Sequence, residues 1–552
     1  MSGRCTRDAS EILIHASRRA RQPGGEPRPN RLARQHARRV IFPLCLSVAV
    51  ALALSAISVT STALASVPCS TPPVSGGQWP MYGHDVANTR TQPEPSGLGP
   101  SAVGALKPMW SFSTSSTGDG TGFNSTPAVD DGCVFIASSG GSAYALDAKT
   151  GHVVWQRKLE APNPGSGGAD VGAAAIYGKS VIFLVDEFTA PYAIALNKST
   201  GAVIWKSAPF APPLTSSVAQ AGSYSNSSPV VANGFVLAGW SPPEGNPSAT
   251  GGFALINAKT GEVVKETPTV PASAQEEGYS GGGIWSTPAY DPKTKYAYWG
   301  AGNPNSKEKQ YRTTDAILKI DVNPRRSTFG QIVASYEGNV DQYTQTLEEL
   351  SHSPACEVSA KEEVPDPLDD PVCGQLDLDF GAAANLFTTP SGTEVVGDLQ
   401  KSGVYHVANA ATMTPVWSTI EGPSCFACNA DSTAFDGNSV YGVATPGGDM
   451  FSLARANGAT NWVSPIADGT HYQSVSSADG VVWTVDGQSN LDGIEASSGV
   501  PLVRRPLAAD AGAPVVNLTS SGVAIAEREL FVAAGGASYE SATGYVIAYG
   551  AG

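Results

Sequence analysis

The feature that most constrains this 552-residue chain is a short motif that returns eight times between residues 144 and 552. It is clearest as YALDAKTGHVVW at 144–155 and as IALNKSTGAVIW at 194–205. The other copies begin at residues 254, 317, 406, 452, 492 and 544. A motif that recurs in this way indicates a repeat architecture, in which each copy is one supersecondary unit.

Each copy predicts a strand, a tight turn and a second strand. Asp147 opens the turn in the first copy, and Gly151 closes it with a backbone that glycine adopts easily. Most copies are preceded by a pair of strands such as STPAVDDGCVFIAS at 125–138. A four-stranded unit that recurs every ~40–60 residues is a propeller blade. We therefore predict an all-β fold, an eight-bladed β-propeller of four-stranded antiparallel blades over residues 101–552, with a lead-in segment at 66–100.

The ends of the repeat predict how the ring closes. The eighth copy stops before its outermost strand, whereas LKPMWSFST at 106–114 has the same strand ending in Trp but no partner strands before it. We expect this N-terminal strand to complete the last blade. A Trp at one point of each repeat is typical of packing between blades. On this ground we assign structural roles to Trp110, Trp155, Trp205, Trp417 and Trp462.

The N-terminal region predicts export. The first 39 residues carry ten Arg against three acidic residues, and the uncharged apolar run at 40–60 follows. Small residues at 63–65 suit a signal peptidase, so residues 1–65 are interpreted as a basic region and signal peptide, with cleavage near Ala65 and a secreted or extracytoplasmic protein. An uncleaved membrane anchor is the alternative, because about 20 apolar residues can span a bilayer.

Charge and cysteine content narrow the partners. After residue 65 the chain has 24 basic and 46 acidic residues, a balance that argues against nucleic acid as a partner because phosphate neutralisation needs clustered Lys and Arg. Six cysteines remain, an even number that favours disulfides in an exported chain. The residue after Cys425-Phe-Ala-Cys428 is Asn429 rather than His, so this stretch is not a c-type haem attachment site.

The repeat, together with WPMYGHDVANTRTQP at 79–93 and VGALKPMW at 103–110, resembles a known family. These residues look like the pyrroloquinoline quinone (PQQ) propellers, in the polyvinyl alcohol dehydrogenase-like branch of the quinoprotein alcohol dehydrogenases. The resemblance covers about residues 78–552. It implies the fold directly, whereas the same repeat also builds non-enzymatic scaffolds, so activity depends on the site residues.

Two patches of the sequence resemble metal-binding parts of the family site. GGGIWSTPAYDP followed by YWGAGNP resembles the segment in which a Trp forms the floor under the quinone and an Asn binds its calcium. The resemblance assigns those roles to Trp285 and Asn303. LAGWSPPEGN at 237–246 resembles a stretch that ends in a calcium-binding Glu, which is Glu244 here.

Three further patches imply the remaining site residues. GQLDLDFGAAANLF at 374–387 resembles the Asp-x-Asp-Phe-Gly element, which makes Asp377 the catalytic base and a metal ligand and Asp379 an additional metal ligand. LQKSGVYHV at 399–407 resembles a stretch whose cation bonds the quinone oxygens, here Lys401. CNADSTAFDGNSVYG at 428–442 stands where the family has a polar contact to the quinone, assigned to Asn429.

These residue types suit the chemistry. A planar quinone that carries carboxylates needs an aromatic surface, a cation and a hard metal, and Trp, Lys and oxygen-ligated Ca²⁺ supply them. A carboxylate beside the metal can take the hydroxyl proton of an alcohol while hydride leaves its carbon. The implied partners are an alcohol and an external electron acceptor, since the chain has no haem attachment motif.

Two other functions remain open from the sequence. A binding or scaffold propeller without cofactor is favoured by the absence of Arg between residues 158 and 310, because related enzymes place an early Arg against the quinone carboxylates. A carbohydrate-active propeller would use Asp377 and Asp379 as acid and nucleophile. Their spacing of two residues within one strand-like stretch does not favour that pairing. No adjacent Cys pair exists, which excludes the methanol dehydrogenase-like branch with its vicinal disulfide.

Overall fold

A computed structural model describes most of the unit Ala63–Gly552. The described residues are 69, 75–159, 172–185, 191–211, 225, 227–242, 248–305, 309–339, 378–422, 429–445, 448–467, 471–516, 521–535 and 542–551. The predicted signal segment, residues 1–65, lies outside them. Within the described residues, no helix is both long enough and apolar enough to cross a bilayer.

The described residues form eight sheets that follow one another along the chain. Two strands precede the first complete blade, β1 (Thr91–Gln92) and β2 (Lys107–Ser113). The strands of blades one to four are β3 (Ala128–Asp130), β4 (Cys133–Ala137), β5 (Ser142–Asp147), β6 (Val153–Lys158), β7 (Ala175–Tyr177), β8 (Ser180–Val185), β9 (Tyr192–Asn197), β10 (Val203–Lys206), β11 (Val230–Ala232), β12 (Phe235–Trp240), β13 (Gly252–Asn257), β14 (Val263–Pro268), β15 (Ala289–Asp291), β16 (Tyr296–Gly300), β17 (Ala316–Asp321) and β18 (Ile332–Glu337).

The later blades repeat the same arrangement. Their strands are β19 (Asn385–Thr388), β20 (Glu394–Leu399), β21 (Val404–Asn409), β22 (Pro415–Ile420), β23 (Ala434–Phe435), β24 (Ser439–Ala444), β25 (Asp449–Ala454), β26 (Thr460–Pro465), β27 (Ser476–Ala478), β28 (Val481–Val485), β29 (Asn490–Glu495), β30 (Pro501–Pro506), β31 (Val523–Ala526), β32 (Glu529–Ala534) and β33 (Tyr545–Gly550). Short helices lie at α1 (Ala272–Glu276) and α2 (Leu507–Ala511), with 3-10 turns at Val103–Ala105 and Thr114–Thr117. The predicted all-β, eight-bladed propeller is confirmed.

The ring closes as the sequence predicts. Strand β2 pairs antiparallel with β33, from Lys107 opposite Gly550 to Ser113 opposite Tyr545. It therefore supplies the outermost strand of a blade whose other three strands, β31 to β33, come from the C-terminal end. This pairing joins the two ends of the propeller through main-chain hydrogen bonds.

The recurrent turn and the recurrent Trp form one contact between neighbouring blades. In the turn after β9, Gly201 has φ +66°, and a Cβ added to it would lie 2.8 Å from Cδ2 of Trp155 in the preceding blade. The indole N–H of Trp155 donates to the carbonyl of Lys198 in that turn, at 2.8 Å. Trp110 repeats this arrangement on the preceding turn, Trp205 on the following one, and Trp462 later in the ring. Trp417 packs on Gly458 in the same way, but its N–H makes no hydrogen bond within the described part of the chain. The structure therefore agrees with the packing role predicted for these indoles.

The lead-in segment fills the centre of the ring. Residues 77–92, called the plug below, exchange main-chain hydrogen bonds with seven of the eight blades. Met81 of the plug packs against Val230 of the remaining one, blade three. The main-chain partners are Val129, Ile176, Tyr290, Leu386, Phe435, Ser477 and Glu527.

Three plug side chains fix its position. The Tyr82 hydroxyl lies 2.8 Å from Oγ of Ser432 and 2.7 Å from Oγ of Ser474. The amide of Asn88 donates to main-chain carbonyls of blades four and five. The fully buried Arg90 donates to the carbonyls of Val475 and Tyr82, both at 2.7 Å. Burial lowers the pKa of Arg90 to about 10, so the guanidinium keeps its charge at neutral pH.

One disulfide is present among the described residues, between Cys69 and Cys133 at the start of β4. It ties the chain ahead of the plug to the first complete blade. The other cysteines that remain after the predicted signal, Cys356, Cys373, Cys425 and Cys428, lie outside the described residues.

Candidate functional site

Five of the seven predicted site residues lie in the described part of the chain. Asp377, the predicted base, and Glu244, a predicted calcium ligand, lie outside it. The described site residues are Trp285, Asn303, Asp379, Lys401 and Asn429.

Blade topology brings these residues to one face of the ring. Within a blade, the start of the first strand and the end of the second lie at the same edge of the sheet, because consecutive strands are antiparallel. Trp285 precedes β15 and Asn303 follows β16, both in blade four. Asp379 precedes β19 and Lys401 follows β20, both in blade five.

Asp379 and Lys401 form a buried ion pair at the centre of the site. Nζ of Lys401 lies 2.9 Å from Oδ2 of Asp379, and the two side chains are 9% and 7% exposed. The main-chain N–H of Lys401 also donates to the carbonyl of Asp379, at 3.0 Å. Two bonds therefore hold the turn after β20 against the segment before β19, and this pair is little screened by solvent.

The second oxygen of Asp379 crosses to the neighbouring blade. Oδ1 accepts a short hydrogen bond from the main-chain N–H of Asn303. Gly302 makes this approach feasible, since a Cβ at that position would lie 2.6 Å from the same oxygen. One carboxylate thus joins blade four to blade five, with its two oxygens on partners from different blades.

Trp285 lies beside the ammonium of Lys401. Its indole edge rests on Gly381, where an added Cβ would lie 1.9 Å from Cη2, and Nζ of Lys401 lies 5.1 Å from the ring centroid. The indole is half-buried. The structure therefore brings an aromatic surface and a carboxylate to the same ammonium group, that of Lys401.

Asn429 is held differently from the other predicted residues. Its side-chain oxygen accepts from the N–H of Thr445 and its side-chain nitrogen donates to the carbonyl of Lys401, both at 3.2 Å. It is 1% exposed and has φ +54°. The structure places Asn429 in contact with the Lys401 turn, while direct contact with a cofactor stays a prediction.

The sequence analysis missed several neighbours of these residues. Gly302 and Gly381 allow the close approaches to Asp379 and Trp285, and Thr445 and Asp431 lie behind Asn429. Burial raises the pKa of Asp431 well above its usual range, against an opposing hydrogen bond from the Thr445 hydroxyl. A signal for Asp431 was available, because an acidic residue three positions before the innermost strand of a blade is seldom fully buried.

The donor set for a metal is partial in the described part of the chain. There, no group of three or more His, Cys, Asp or Glu side chains has the arrangement of a metal site. Asp379 and Asn303 are joined by a hydrogen bond from the main-chain N–H of Asn303, and their side chains carry carboxylate and amide oxygens, which are ligand types that calcium takes. The remaining predicted ligands, Glu244 and Asp377, are the two that lie outside the described residues.

Comparisons with known proteins support the fold and the family. A family model described as outer membrane protein assembly factor BamB matches residues 107–287. A polyvinylalcohol dehydrogenase from Pseudomonas sp is 30% identical over 44% of this chain and 39% of its own length. Another from Sphingopyxis sp. is 26% identical over 64% of this chain and 53% of its own. The chain thus spans about half or less of the length of these curated relatives.

A solved structure has the same architecture. The quinohemoprotein alcohol dehydrogenase from Comamonas testosteroni superposes with a TM-score of 0.63 over 86% of this chain and 80% of that one, at 16% identity. A likeness at this identity concerns the fold alone. Taken together, the repeat and the sequence relatives support a PQQ-type β-propeller that is similar to the polyvinyl alcohol dehydrogenase branch of the quinoprotein alcohol dehydrogenases.

Proposed function

We propose that the protein is an extracytoplasmic dehydrogenase that oxidises an alcohol with PQQ and calcium and passes the electrons to an external acceptor. The observation that carries the proposal is the contact of the buried Asp379–Lys401 pair with the half-buried indole of Trp285. The names of the sequence relatives, which include two polyvinylalcohol dehydrogenases, support it.

The residues present suit a flat, carboxylated cofactor. Gly381 leaves no side chain beneath the indole of Trp285, so the ring can lie against the backbone and offer its remaining surface to a planar ligand. Lys401 places a positive charge at the edge of that surface, where it would meet quinone or carboxylate oxygens. Asn303, Asp379, Asp377 and Glu244 would hold the calcium ion.

PQQ and calcium, when bound, supply a quinone that accepts hydride and a Lewis acid that polarises it. In this scheme the carboxylate of Asp377 takes the hydroxyl proton of the alcohol. The ion pair with Lys401 and the hydrogen bond from Asn303 keep the neighbouring Asp379 fixed. Tyr82 and the rest of the plug lie across the centre of the ring, so the alcohol would enter from the face that carries Lys401.

The test is a titration of purified protein with PQQ, with and without Ca²⁺, followed by dye reduction with a panel of primary, secondary and polymeric alcohols. We expect calcium-dependent binding and alcohol-driven reduction, both strongly reduced in Lys401→Met and reduction abolished in Asp377→Asn. Asp436→Asn is the matched control. Asp436 lies in the turn between β23 and β24, where its carboxylate accepts hydrogen bonds from main-chain N–H groups and from the Tyr441 hydroxyl.

A scaffold function is the second candidate, and the family model that matches residues 107–287 favours it through its description as an assembly factor. A protein of this kind would keep the blades without the cofactor. If the purified protein binds no PQQ at high micromolar concentration in the presence of Ca²⁺, the enzyme proposal is wrong, and pull-down of outer-membrane assembly partners becomes the decisive measurement.

A further inference from the structure

A chain of buried hydrogen bonds connects Thr445 in blade six to Lys401 in the site. It begins at Thr445, the residue after β24, whose hydroxyl oxygen accepts from the main-chain N–H of Asn429 at 2.7 Å. The same hydroxyl donates to Oδ2 of Asp431 at 3.2 Å. The N–H of Thr445 donates in turn to Oδ1 of Asn429 at 3.2 Å. Thr445 is therefore hydrogen-bonded to both the main chain and the side chain of Asn429.

Asn429 in turn is hydrogen-bonded to a residue of the site. Its side-chain nitrogen donates to the carbonyl of Lys401 at 3.2 Å, across the boundary between blades five and six. The N–H of Lys401 is bonded to the carbonyl of Asp379, and its Nζ is paired with the carboxylate of the same residue. The main chain of Lys401 is thus anchored on one side by Asp379 and on the other by Asn429.

The network is buried throughout. Thr445 is fully buried, and Asn429 and Asp431 are each 1% exposed. Loss of one partner in such a setting leaves the other without water to replace it, which is costly because the full desolvation of the stranded group remains. The chain of bonds should therefore act as a unit rather than as separate contacts.

The backbone of Asn429 needs this support. Its φ of +54° lies in the left-handed region, which non-glycine residues seldom occupy and which Asn tolerates better than most. A residue held in such a conformation persists when its surroundings determine it. Here the two hydrogen bonds from Thr445 do so, and the side chain is thereby aimed at the carbonyl of Lys401.

We propose that Asn429, Thr445 and Asp431 are positioning residues that hold Lys401 in place against Asp379 and Trp285. The catalytic consequence rests on the proposed function, whereas the positioning itself does not. Each residue acts through the next one, and the group at the end of the series is the ammonium of Lys401.

The first experiment needs no cofactor. Amine-reactive labelling of the full chain, followed by mass spectrometry of the peptide that contains Lys401, measures how often this buried ammonium becomes accessible. Thr445→Val removes the hydroxyl at nearly constant volume, and we expect Lys401 to label about fivefold faster or more. Thr445→Ser keeps the hydroxyl and should restore the wild-type rate. Thr419→Val is the matched control. Thr419 lies on the outer strand β22, and its hydroxyl donates to the carbonyl of Gly458 rather than to a residue of the network.

A second variant tests the link at Asn429. Asn429→Asp keeps the oxygen that accepts from Thr445 and tolerates the left-handed backbone, but it places an acceptor where the donor to Lys401 was. We expect faster labelling of Lys401 in this variant, measured well below its own melting temperature so that only folded protein is labelled. Asp431→Asn retains an oxygen to accept from Thr445 and should label as wild type, whereas Asp431→Ala should label faster.

The proposal is overturned if Thr445→Val and Asn429→Asp label Lys401 at the wild-type rate in folded protein. If the wild-type protein binds no PQQ but these variants still expose Lys401, the positioning network stands and the enzymatic proposal fails. In a PQQ-binding protein, Thr445→Val should lower kcat with little change in the alcohol KM, and Thr445→Ser should recover it. An equal loss in both Thr445 variants and in Thr419→Val would show a general structural effect and contradict the positioning role.

Discussion

Two indoles rest on glycines of a following blade, and they differ in what lies above them. Trp155 packs on Gly201, and its N–H is used by the carbonyl of Lys198. Trp285 packs on Gly381, but an ammonium lies over its ring and a buried carboxylate stands next to that ammonium. The first contact recurs around the ring, whereas the second combines with charges that the repeated contact lacks.

The difference teaches how a repeat protein can acquire a site. An indole on a glycine is a stable way to join two blades, since it buries a large apolar area without strain in the side chain. The arrangement becomes a candidate site when the loops beside it carry Lys401 and Asp379 in place of apolar or solvated residues. Variants of the two regions should therefore fail in different ways.

The largest difference is expected between two lysines. Lys401→Met leaves the Asp379 carboxylate buried without its counter-charge, which should cost roughly 3–5 kcal/mol of unfolding free energy and strongly reduce cofactor binding. Lys149→Met removes a pair with Glu529 in the first repeated turn, where the lysine is 43% exposed, and should cost about 0–1 kcal/mol. Denaturant unfolding of both variants checks the contrast, and equal costs would contradict it.

The two indoles should separate stability from binding. Trp155→Ala removes a buried, hydrogen-bonded indole and should lower the free energy of unfolding by about 3–4 kcal/mol. Trp285→Ala removes a half-buried indole and should cost roughly 1–2 kcal/mol, yet weaken PQQ binding much more than Trp155→Ala does. Unfolding curves and fluorescence titration measure the two effects. Loss of PQQ affinity in a folded Trp155→Ala protein would count against the distinction.

The two glycines beneath these indoles give a smaller contrast. Gly201→Ala adds a methyl group at a positive φ, and we expect a loss of about 1–2 kcal/mol of stability. The φ of Gly381 is not positive, so an Ala at this position does not strain the backbone. Its effect comes from the contact of the added methyl group with the indole of Trp285. The expected result for Gly381→Ala is about tenfold weaker PQQ binding, in line with a displaced contact surface. An unaltered affinity would show that the indole position is unimportant for binding.

The smallest expected effect is on the pH dependence of stability, and it has opposite signs for two carboxylates, Glu421 and Asp291. Burial raises the pKa of Glu421 to about 7, against a hydrogen bond from Thr460, so its contribution to stability is lost as the pH rises through 7. Burial also acts on Asp291, but hydrogen bonds from Thr294 and the N–H of Lys293 outweigh it and lower the pKa, so its contribution is lost as the pH falls below 4.

Two neutral variants test these signs. Glu421→Gln should be more stable than the wild type at pH 8 by on the order of 1 kcal/mol, and the gain should vanish near pH 5. Asp291→Asn should be less stable than the wild type at pH 7, with a deficit that shrinks in acid. Thermal unfolding over pH 4–8 measures the trend for Glu421→Gln, and unfolding in denaturant extended down to about pH 2 measures the trend for Asp291→Asn. A pH-independent difference in either variant would contradict the assigned direction.

The fold was largely predictable because its determinants are local and repeated. The Asp-x-x-Thr-Gly turn, as at Asp147 to Gly151, needs only neighbours in sequence, and its recurrence set the number of blades. The closing strand β2 was also predictable, since the same strand and Trp recur near both ends of the repeat. These signals survive in one sequence without knowledge of distant contacts.

The site was predictable only in part. Family resemblance selected Trp285, Asp379 and Lys401, which the structure brings together although no periodicity in the chain links positions more than 100 residues apart; their roles toward a cofactor stay predictions. The support from Thr445 could not be foreseen, because its partner Asn429 is 16 residues away and belongs to a different strand connection. The path of the plug could not be predicted from the sequence either, since its main-chain hydrogen bonds are made with blades that lie far away in the sequence.

The plug also separates the order of synthesis from the order of assembly. It leaves the ribosome before any of the blades it contacts, yet Arg90 bonds a residue 385 positions later and Gln92 one that is 433 positions later. Contacts over such spans form slowly, because a long loop must close before they are gained. The nascent chain must therefore carry this segment unburied until the seventh and eighth blades exist. Ring closure through β2 and β33 needs the same C-terminal blades, so the plug would reach its final position in the step that also closes the ring.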